Sequence, residues 1–453
     1  MGDYEFIVEG LYEGYWKLPM LDEEILGTLS LKKGNVTFRI VIKGNTLSRW
    51  HQTFNIDGLA FNNKKEQFYI SLYNLEVVKY ANFGSSYYEF IFNVGDVFIK
   101  TKSDIDFSAI DHCVIRTRLL DEWVWEYIKD SYSYDLTLQI NDKQNIEYKQ
   151  KDPYTCFKNE ESEVCLYFGT KINYPSISGF HIINRCFLNI HFNEKRDFRF
   201  ASAFAERILH LFSLLWNIEY SPEYIEFRTD SNKFVYIQNS NRNIEKDNTI
   251  PSCVYTELTD FTKEEIFVIL KNWIELYSKY PDALSMYFNS FSNVNLSNEQ
   301  NIKNMISVID GITERVATNG MSNDTRRKQE LDCILKKCTE LSHEEKNKLR
   351  TWVLRENGTE LKPRFKELLS EIKYLLPNEY ITQSFSMGND EWVNQIVDIR
   401  NGLTHPREAN ENVSLSPIEY SKYANCLKKI LHTYLMYRVN IPDRIIEKVW
   451  DFI

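Results

Sequence analysis

Most features that would assign this chain quickly are missing from it. No apolar run approaches the roughly 18 residues that a membrane-spanning helix needs; the longest, Ile208 to Trp216, is interrupted by His210 and Ser213. The 8 Cys, at positions 113, 156, 165, 186, 253, 333, 338 and 426, form no CxxC pair and read as reduced, mostly buried thiols. A zinc site drawn from Cys156, Cys165, His181, Cys186 and His191 has spacings that match no common ligand pattern, so neither a metal nor another cofactor is expected. No stretch is of low complexity, and the hydrophobic (43%) and charged (26%) fractions are those of a globular protein. The first residues, Met1-Gly2-Asp3-Tyr4-Glu5, carry no basic n-region of a secretory signal. Phe6 stands where a myristoylation signal has Ser or Thr, so the expectation is a cytoplasmic protein with no membrane partner. Excess positive charge is also lacking: the net charge of -10 argues against a chain coated along its length in nucleic acid.

That charge is unevenly spread. Residues 1 to 320 hold 33 Lys and Arg against 44 Asp and Glu, whereas residues 321 to 453 hold 21 against 20. The C-terminal part also has local basic character at Arg326-Arg327-Lys328, Lys336-Lys337, Lys346, Lys348 and Arg350, which suits either a solvated helix face or a polyanion track.

With 453 residues the chain has room for two or three domains, each with its own core. The first 195 or so alternate as half-buried strands do: Val36, Phe38, Ile40 and Ile42; Tyr88, Phe90, Phe92 and Val94 before a Gly95-Asp96 turn; Tyr134, Leu136, Leu138 and Ile140; Cys186, Leu188, Ile190 and Phe192. Such strands predict an antiparallel sandwich or barrel, with His191 a partly exposed strand residue. The segment from Phe198 to Trp216 is apolar nearly all round and predicts a buried helix; Lys233 to Ile237 predicts a short strand. A capping box, Thr262 to Glu265, opens a helical region. Ser297 with Gln300, Ser342 with Glu345, and Ser416 with Pro417 and Glu419 mark further helix starts. Helices over 326 to 340, 343 to 356, 364 to 376, 389 to 405 and 417 to 437 predict an antiparallel bundle. The fold class is therefore α+β, with the boundary near residue 290, at Asn289 to Asn293: a β-rich region over 1 to 290 and an all-α region over 291 to 453.

The string Arg400-Asn401-Gly402-Leu403-Thr404-His405 ends one of those helices. Trp392, Val393, Ile396, Ile399 and Leu403 recur at about 3.6-residue spacing and define its buried stripe, which leaves Asn401 and His405, four apart, on the opposite face. Pro406 drives its predecessor out of the α region, so the helix should stop at about His405. A guanidinium is a permanent cation that forks onto phosphate oxygens, and an imidazole titrates near neutral pH. The pair thus supplies a phosphate ligand and a proton carrier. At a helix C-terminus the dipole favours imidazolium but disfavours phosphate, a defect that Arg400 compensates. With 8 His in the chain, a given Arg meets a His five places later about once in 60 by chance, so the spacing counts only together with the whole string and its place at a helix end.

In that combination the chain resembles the HEPN superfamily, and specifically the C-terminal HEPN domain of ApeA-like antiphage proteins. The resemblance covers roughly residues 295 to 453 and, more loosely, residues 1 to 290 through a β-rich region like the ApeA N-terminal domain. It implies a metal-independent endoribonuclease built as a homodimer or higher homo-oligomer, in which two such motifs face one cleft. Arg400 would bind the scissile phosphate, His405 would transfer the proton and Asn401 would orient the site; products would be a 2',3'-cyclic phosphate and a 5'-hydroxyl. It further implies cellular RNA as substrate, tRNA or another structured RNA being the expected class, and an N-terminal region that silences the nuclease until an unidentified phage-derived trigger arrives. Two other readings stand beside it: a non-catalytic HEPN dimerisation module with a β-sandwich ligand-binding domain, and a β-sandwich binding protein for carbohydrate or peptide with a helical oligomerisation tail.

Overall fold

The structure, a computed structural model, describes residues 10–19, 21, 23–32, 35–43, 55–83, 87–100, 106–129, 132–135, 145–148, 151–173, 181–217, 222–230, 232–238, 256–292, 296–313, 331–337, 341–342, 345–346, 361–377, 380–404 and 415–450. The chain divides into two compact units, residues 1–271 and 272–453.

In the first unit, strands β1 (Gly10–Lys17), β2 (Glu24–Lys32), β3 (Asn35–Lys43), β4 (Ile56–Phe61), β5 (Gln67–Phe83) and β6 (Tyr87–Lys100) pair antiparallel in the order β6-β3-β2-β1-β4-β5, and β5 returns to β6. The result is a closed barrel, which leaves no edge among these strands. Alternation produces it: Tyr12 and Trp16 of β1, Leu29 and Leu31 of β2, and Val36, Phe38, Ile40 and Ile42 of β3 all point into one buried core. Aromatic rings fill that core, with Trp16 and Phe38 centroids 4.7 Å apart. Trp16 satisfies its indole N–H by donating to the Gly27 carbonyl at 3.1 Å, and lies opposite Gly58 in the β1–β4 register.

The expected turn at Gly95-Asp96 is absent, because β6 runs straight through it to Lys100. Residues 87–93 of β6 pair with β3, whereas 96–100 pair with β14 (Lys233–Gln238). The sheet forks at this point. Gly95 lies beside Asn74 of β5, and a Cβ there would come within 2.7 Å of the Asn74 Cβ. Glycine therefore marks a close approach of two strands rather than a reversal. Asn74, in the left-handed region at φ 55, donates to the Asp96 carboxylate, which also accepts from the Tyr236 hydroxyl at 2.8 Å.

Beyond β14 the sheet continues through β13 (Tyr224–Arg228), β7 (Ile110–Arg116), β12 (His181–Arg196), β11 (Ser162–Asn173) and β10 (Tyr154–Lys158). Cys186, Leu188, Ile190 and Phe192 of β12 are all buried on one side. Helix α3 (Phe198–Trp216) packs on β7 and β12. Its N-terminus is capped by Asp197, whose carboxylate accepts from the Phe200 N–H at 2.8 Å. Short helices α1 (Arg118–Trp123) and α2 (Trp125–Ile128) follow β7; buried Arg116 forks onto Asp121 at 2.8 and 2.6 Å, fixing α1 to the sheet. Strands β8 (Tyr132–Asp135) and β9 (Asn145–Tyr148) form a separate pair. Tyr134 belongs to β8, while Leu136, Leu138 and Ile140 lie outside the described residues.

Helix α4 (Lys263–Lys279) opens on the expected Thr262–Glu265 capping box, each side chain bonded to the other's backbone N–H at 3.1 and 2.9 Å. Then come α5 (Pro281–Ser292), α6 (Asn298–Ile312), α7 (Leu361–Ile372), α8 (Tyr380–Phe385), α9 (Asn389–Thr404), α10 (Pro417–Arg438) and α11 (Asp443–Trp450). Asn289 to Ser292, read from sequence as a connection, close α5 instead. Residues 331–337 are helical, whereas most of the expected helix over 343 to 356 lies outside the described residues. Ser416 and Glu419 form the capping box that starts α10. The bundle core joins Ile302 and Ile309 of α6, Phe365 of α7, Trp392 and Ile396 of α9 and Leu427 and Leu431 of α10, all at most 1% exposed. His432, fully buried, pairs its Nδ1 with the Tyr287 hydroxyl at 2.9 Å and is a core histidine. Among the described residues no helix is long and apolar enough to cross a membrane.

A Cβ on Gly58 would meet the Trp16 ring, with Cζ3 at 2.9 Å. Gly58→Ala should thus lower the unfolding free energy by about 1–3 kcal/mol through overpacking, read as a lower denaturation midpoint; an unchanged midpoint would show that the Trp16 contact does not constrain the barrel.

Candidate functional site

Helix α9 carries most of the candidate site. Asp390 and Glu391 sit in its first turn, where carboxylates suit the positive end of the dipole, and the Trp392 N–H donates to the Gly388 carbonyl at 2.9 Å. Trp392, Val393, Ile396 and Ile399 are at most 1% exposed, as their spacing predicts, and Val397 joins them at 2%. Leu403, the last member of the expected stripe, is only half-buried, as are Gly402 and Thr404. The helix leaves the core in its final turn.

Trp392 sets the rotation of α9. Its ring meets Phe365 of α7 edge-on at 5.7 Å and Phe385 of α8 at 5.9 Å, and Phe385 stacks on Tyr423 of α10 at 4.5 Å. Burial, then the Glu419 charge, pushes the Tyr423 hydroxyl up to about 12, so it stays protonated at neutral pH.

With that face committed, Asn401 is exposed and Arg400 half-buried beside it. The Arg400 Nη1 donates to the Asn401 Oδ1 at 3.2 Å. One end of the guanidinium is thereby oriented while most of its N–H donors stay directed elsewhere. The Thr404 hydroxyl donates to the Arg400 carbonyl at 2.7 Å, occupying one of the terminal carbonyls that a helix leaves without an intrahelical partner. His405 follows Thr404 directly and lies outside the described residues. Residues 389–404 contain no His, Cys or Tyr. The arrangement holds an oriented cation at an exposed helix end.

Arg364 of α7 provides the contrast. It is 9% exposed, and its Nη1 donates to the Asp310 carbonyl at 3.0 Å and the Thr313 carbonyl at 3.3 Å, while Nη2 pairs with the Asp310 carboxylate. This guanidinium closes the C-terminal end of α6 and is consumed by the fold.

Two features escaped the sequence reading. Asp390, Asn394 and Asp398 are exposed like Asn401 and share its face at three- and four-residue spacing; the same periodicity that found the buried stripe contains this one. Lysines of α7 meet its carboxylates: Lys362 Nζ lies 3.7 Å from Asp398 Oδ1, and Lys366 Nζ 3.0 Å from Asp390 Oδ2. Of the basic residues noted in the sequence, Lys336 and Lys337 are exposed and Lys346 half-buried; Arg326, Arg327, Lys328, Lys348 and Arg350 lie outside the described residues.

In the first unit, Cys156 and Cys186 are buried, and burial pushes their thiols up, which disfavours the thiolate a metal requires. The His191 ring packs against His112 at 4.4 Å, and the side chain of His181 lies outside the described residues. Among the described residues no three His, Cys, Asp or Glu are placed to hold a metal ion.

Two family models match the chain: Apea-like HEPN over residues 303–444, a span containing Arg400, Asn401 and His405, and ApeA N-terminal domain 1 over residues 11–275. No curated protein and no solved structure matches it.

The two arginines should separate on substitution. Arg364→Ala leaves the Asp310 and Thr313 carbonyls without their donor, while the half-exposed Asp310 carboxylate returns to water, and should cost about 1–3 kcal/mol in chemical denaturation, whereas Arg400→Ala should stay within about 0.5 kcal/mol of the parent. Equal losses would place Arg400 in the fold rather than in a site.

Proposed function

Because the chain belongs to the ApeA family, an ApeA N-terminal domain 1 leading into an Apea-like HEPN domain, we propose that it is an antiphage endoribonuclease that cuts cellular RNA to abort infection. The observation that carries this reading is the half-buried Arg400 bonded to the exposed Asn401 at the end of α9, followed in the chain by His405.

The chemistry needs no metal. The 2'-oxygen attacks the adjacent phosphorus, the bond from phosphorus to the 5'-oxygen breaks, and the fragments end in a 2',3'-cyclic phosphate and a 5'-hydroxyl. One proton leaves the 2'-hydroxyl and one reaches the departing 5'-oxygen. His405 is the proton-transfer residue. Arg400 neutralises the charge that builds on the non-bridging oxygens, and also offsets the unfavourable C-terminal dipole of α9. Asn401 holds the guanidinium in its working orientation. A single imidazole cannot serve both ends of an in-line displacement, so we assign the complete site to two copies of the chain, each contributing its motif. Structured RNA, tRNA among it, is the substrate class, and the cytoplasm the place of action. The β-rich region, on the acidic side of the charge split, restrains the nuclease until a phage-derived trigger relieves it.

The test is to incubate purified protein with total RNA in EDTA, with and without extract of infected cells. The parent should cleave, and more strongly with the extract. His405→Ala should lose about 10²–10⁴-fold and Arg400→Ala about 10²–10³-fold, both at unchanged melting temperature, with Asn401→Ala falling between them and the parent. Cleavage that EDTA abolishes, or that survives in His405→Ala, contradicts the assignment; equal inactivity of parent and variants under activating conditions favours a non-catalytic HEPN module.

A further inference from the structure

The exposed face of α9 is a straight stripe of Asp390, Asn394, Asp398 and Asn401, and two of those four side chains are carboxylates, which repel a polyanion lying along the helix. The stripe is not left bare, because lysines of α7 reach across to it. The two ion pairs differ. Lys366 meets Asp390 at 3.0 Å near the start of α9, about 16 Å of helix rise from Asn401. Lys362 meets Asp398 at 3.7 Å, less than one turn from Asn401; both pairs are open to solvent, so length and distance from the motif are what separate them. An ion pair of that length and exposure is weak and readily exchanged.

We propose that Lys362 is a substrate-binding residue of this site. It rests on Asp398 in the free protein and exchanges that carboxylate for an RNA phosphate next to the one held by Arg400. Asp398 then acts as the gate on the contact: it keeps the ammonium beside the motif when no RNA is bound and must be outcompeted when RNA arrives. Lys366, paired more closely and farther from the motif, holds α7 to α9 and takes no phosphate. A flexible ammonium suits this role, since a lysine approaches phosphate as a point charge that can change partners, while the oriented guanidinium of Arg400 stays in place.

This inference rests on the ribonuclease reading, and its test keeps the two apart. The full-length His405→Ala protein should bind RNA without cutting it, so affinity for a structured RNA is measured against salt in that background. Adding Lys362→Gln should weaken binding roughly 3–10-fold at physiological salt and flatten the slope of log K against log salt by about 0.7–0.9, one phosphate contact. Asp398→Asn should tighten binding, and Lys366→Gln should leave the slope alone. In the cleaving parent, Lys362→Gln should raise KM and leave kcat within about twofold, at unchanged melting temperature.

If the parent cleaves in EDTA yet Lys362→Gln has the parental slope and KM, or Asp398→Asn weakens binding, the Lys362 assignment is wrong and the nuclease reading stands. If Lys366→Gln flattens the slope as much as Lys362→Gln, the effect is general charge and the assignment falls. If the His405→Ala protein binds no RNA, both readings fall together.

Discussion

The burial of one side of α9 decides what its other side presents to solvent. Trp392, Val393, Ile396 and Ile399 are removed from water, and Trp392 is wedged against Phe365 and Phe385. Truncating a buried tryptophan to alanine typically costs about 3–5 kcal/mol, so the helix has no freedom to rotate within the bundle. Its polar residues consequently face solvent along one line, and Arg400 and Asn401 stand together where the helix leaves the core. A surface guanidinium would usually be a solvated charge. Here its direction is inherited from an apolar face several residues upstream and refined by an adjacent amide.

The barrel obeys the same logic with a period of two instead of about 3.6. Alternate residues of β1, β2 and β3 turn inward, and glycine stands where two backbones or an indole come too close for a Cβ. Aromatic rings fill that core, through Trp16, Phe38, Phe90 and Phe92. One chain therefore holds two units of different architecture, with separate cores and different charge balance.

Much of this was legible from local pattern. The strands around Val36 to Ile42 and Cys186 to Phe192, the buried helix from Phe198, and the caps at Thr262, Ser297 and Ser416 all depend on residues close in sequence. What local pattern could not convey was long-range pairing. The pairings of β3 with β6 and of β1 with β4, and the bond of β14 to the far half of β6, join residues widely separated along the chain. For that reason Gly95-Asp96 resembled a turn when it is a fork. Helix α11 was missed although Ile445, Ile446, Val449 and Trp450 have helical spacing, because the segment is short and close to the end of the sequence. On the site, the helical wheel put Asn401 opposite the buried stripe, where it is exposed; His405, its companion on that face, lies outside the described residues. Lys362 was invisible, because its position opposite Asp398 depends on how α7 packs on α9.

The central claim is that RNA is cut by an arginine and a histidine without a metal, and the ends of the fragments record whether that is so. Mass spectrometry of RNA cleaved by the purified, triggered protein should find 2',3'-cyclic phosphates and 5'-hydroxyls at the new termini. Fragments ending in 3'-hydroxyls and 5'-phosphates, the signature of an activated water attacking phosphorus, would contradict the account.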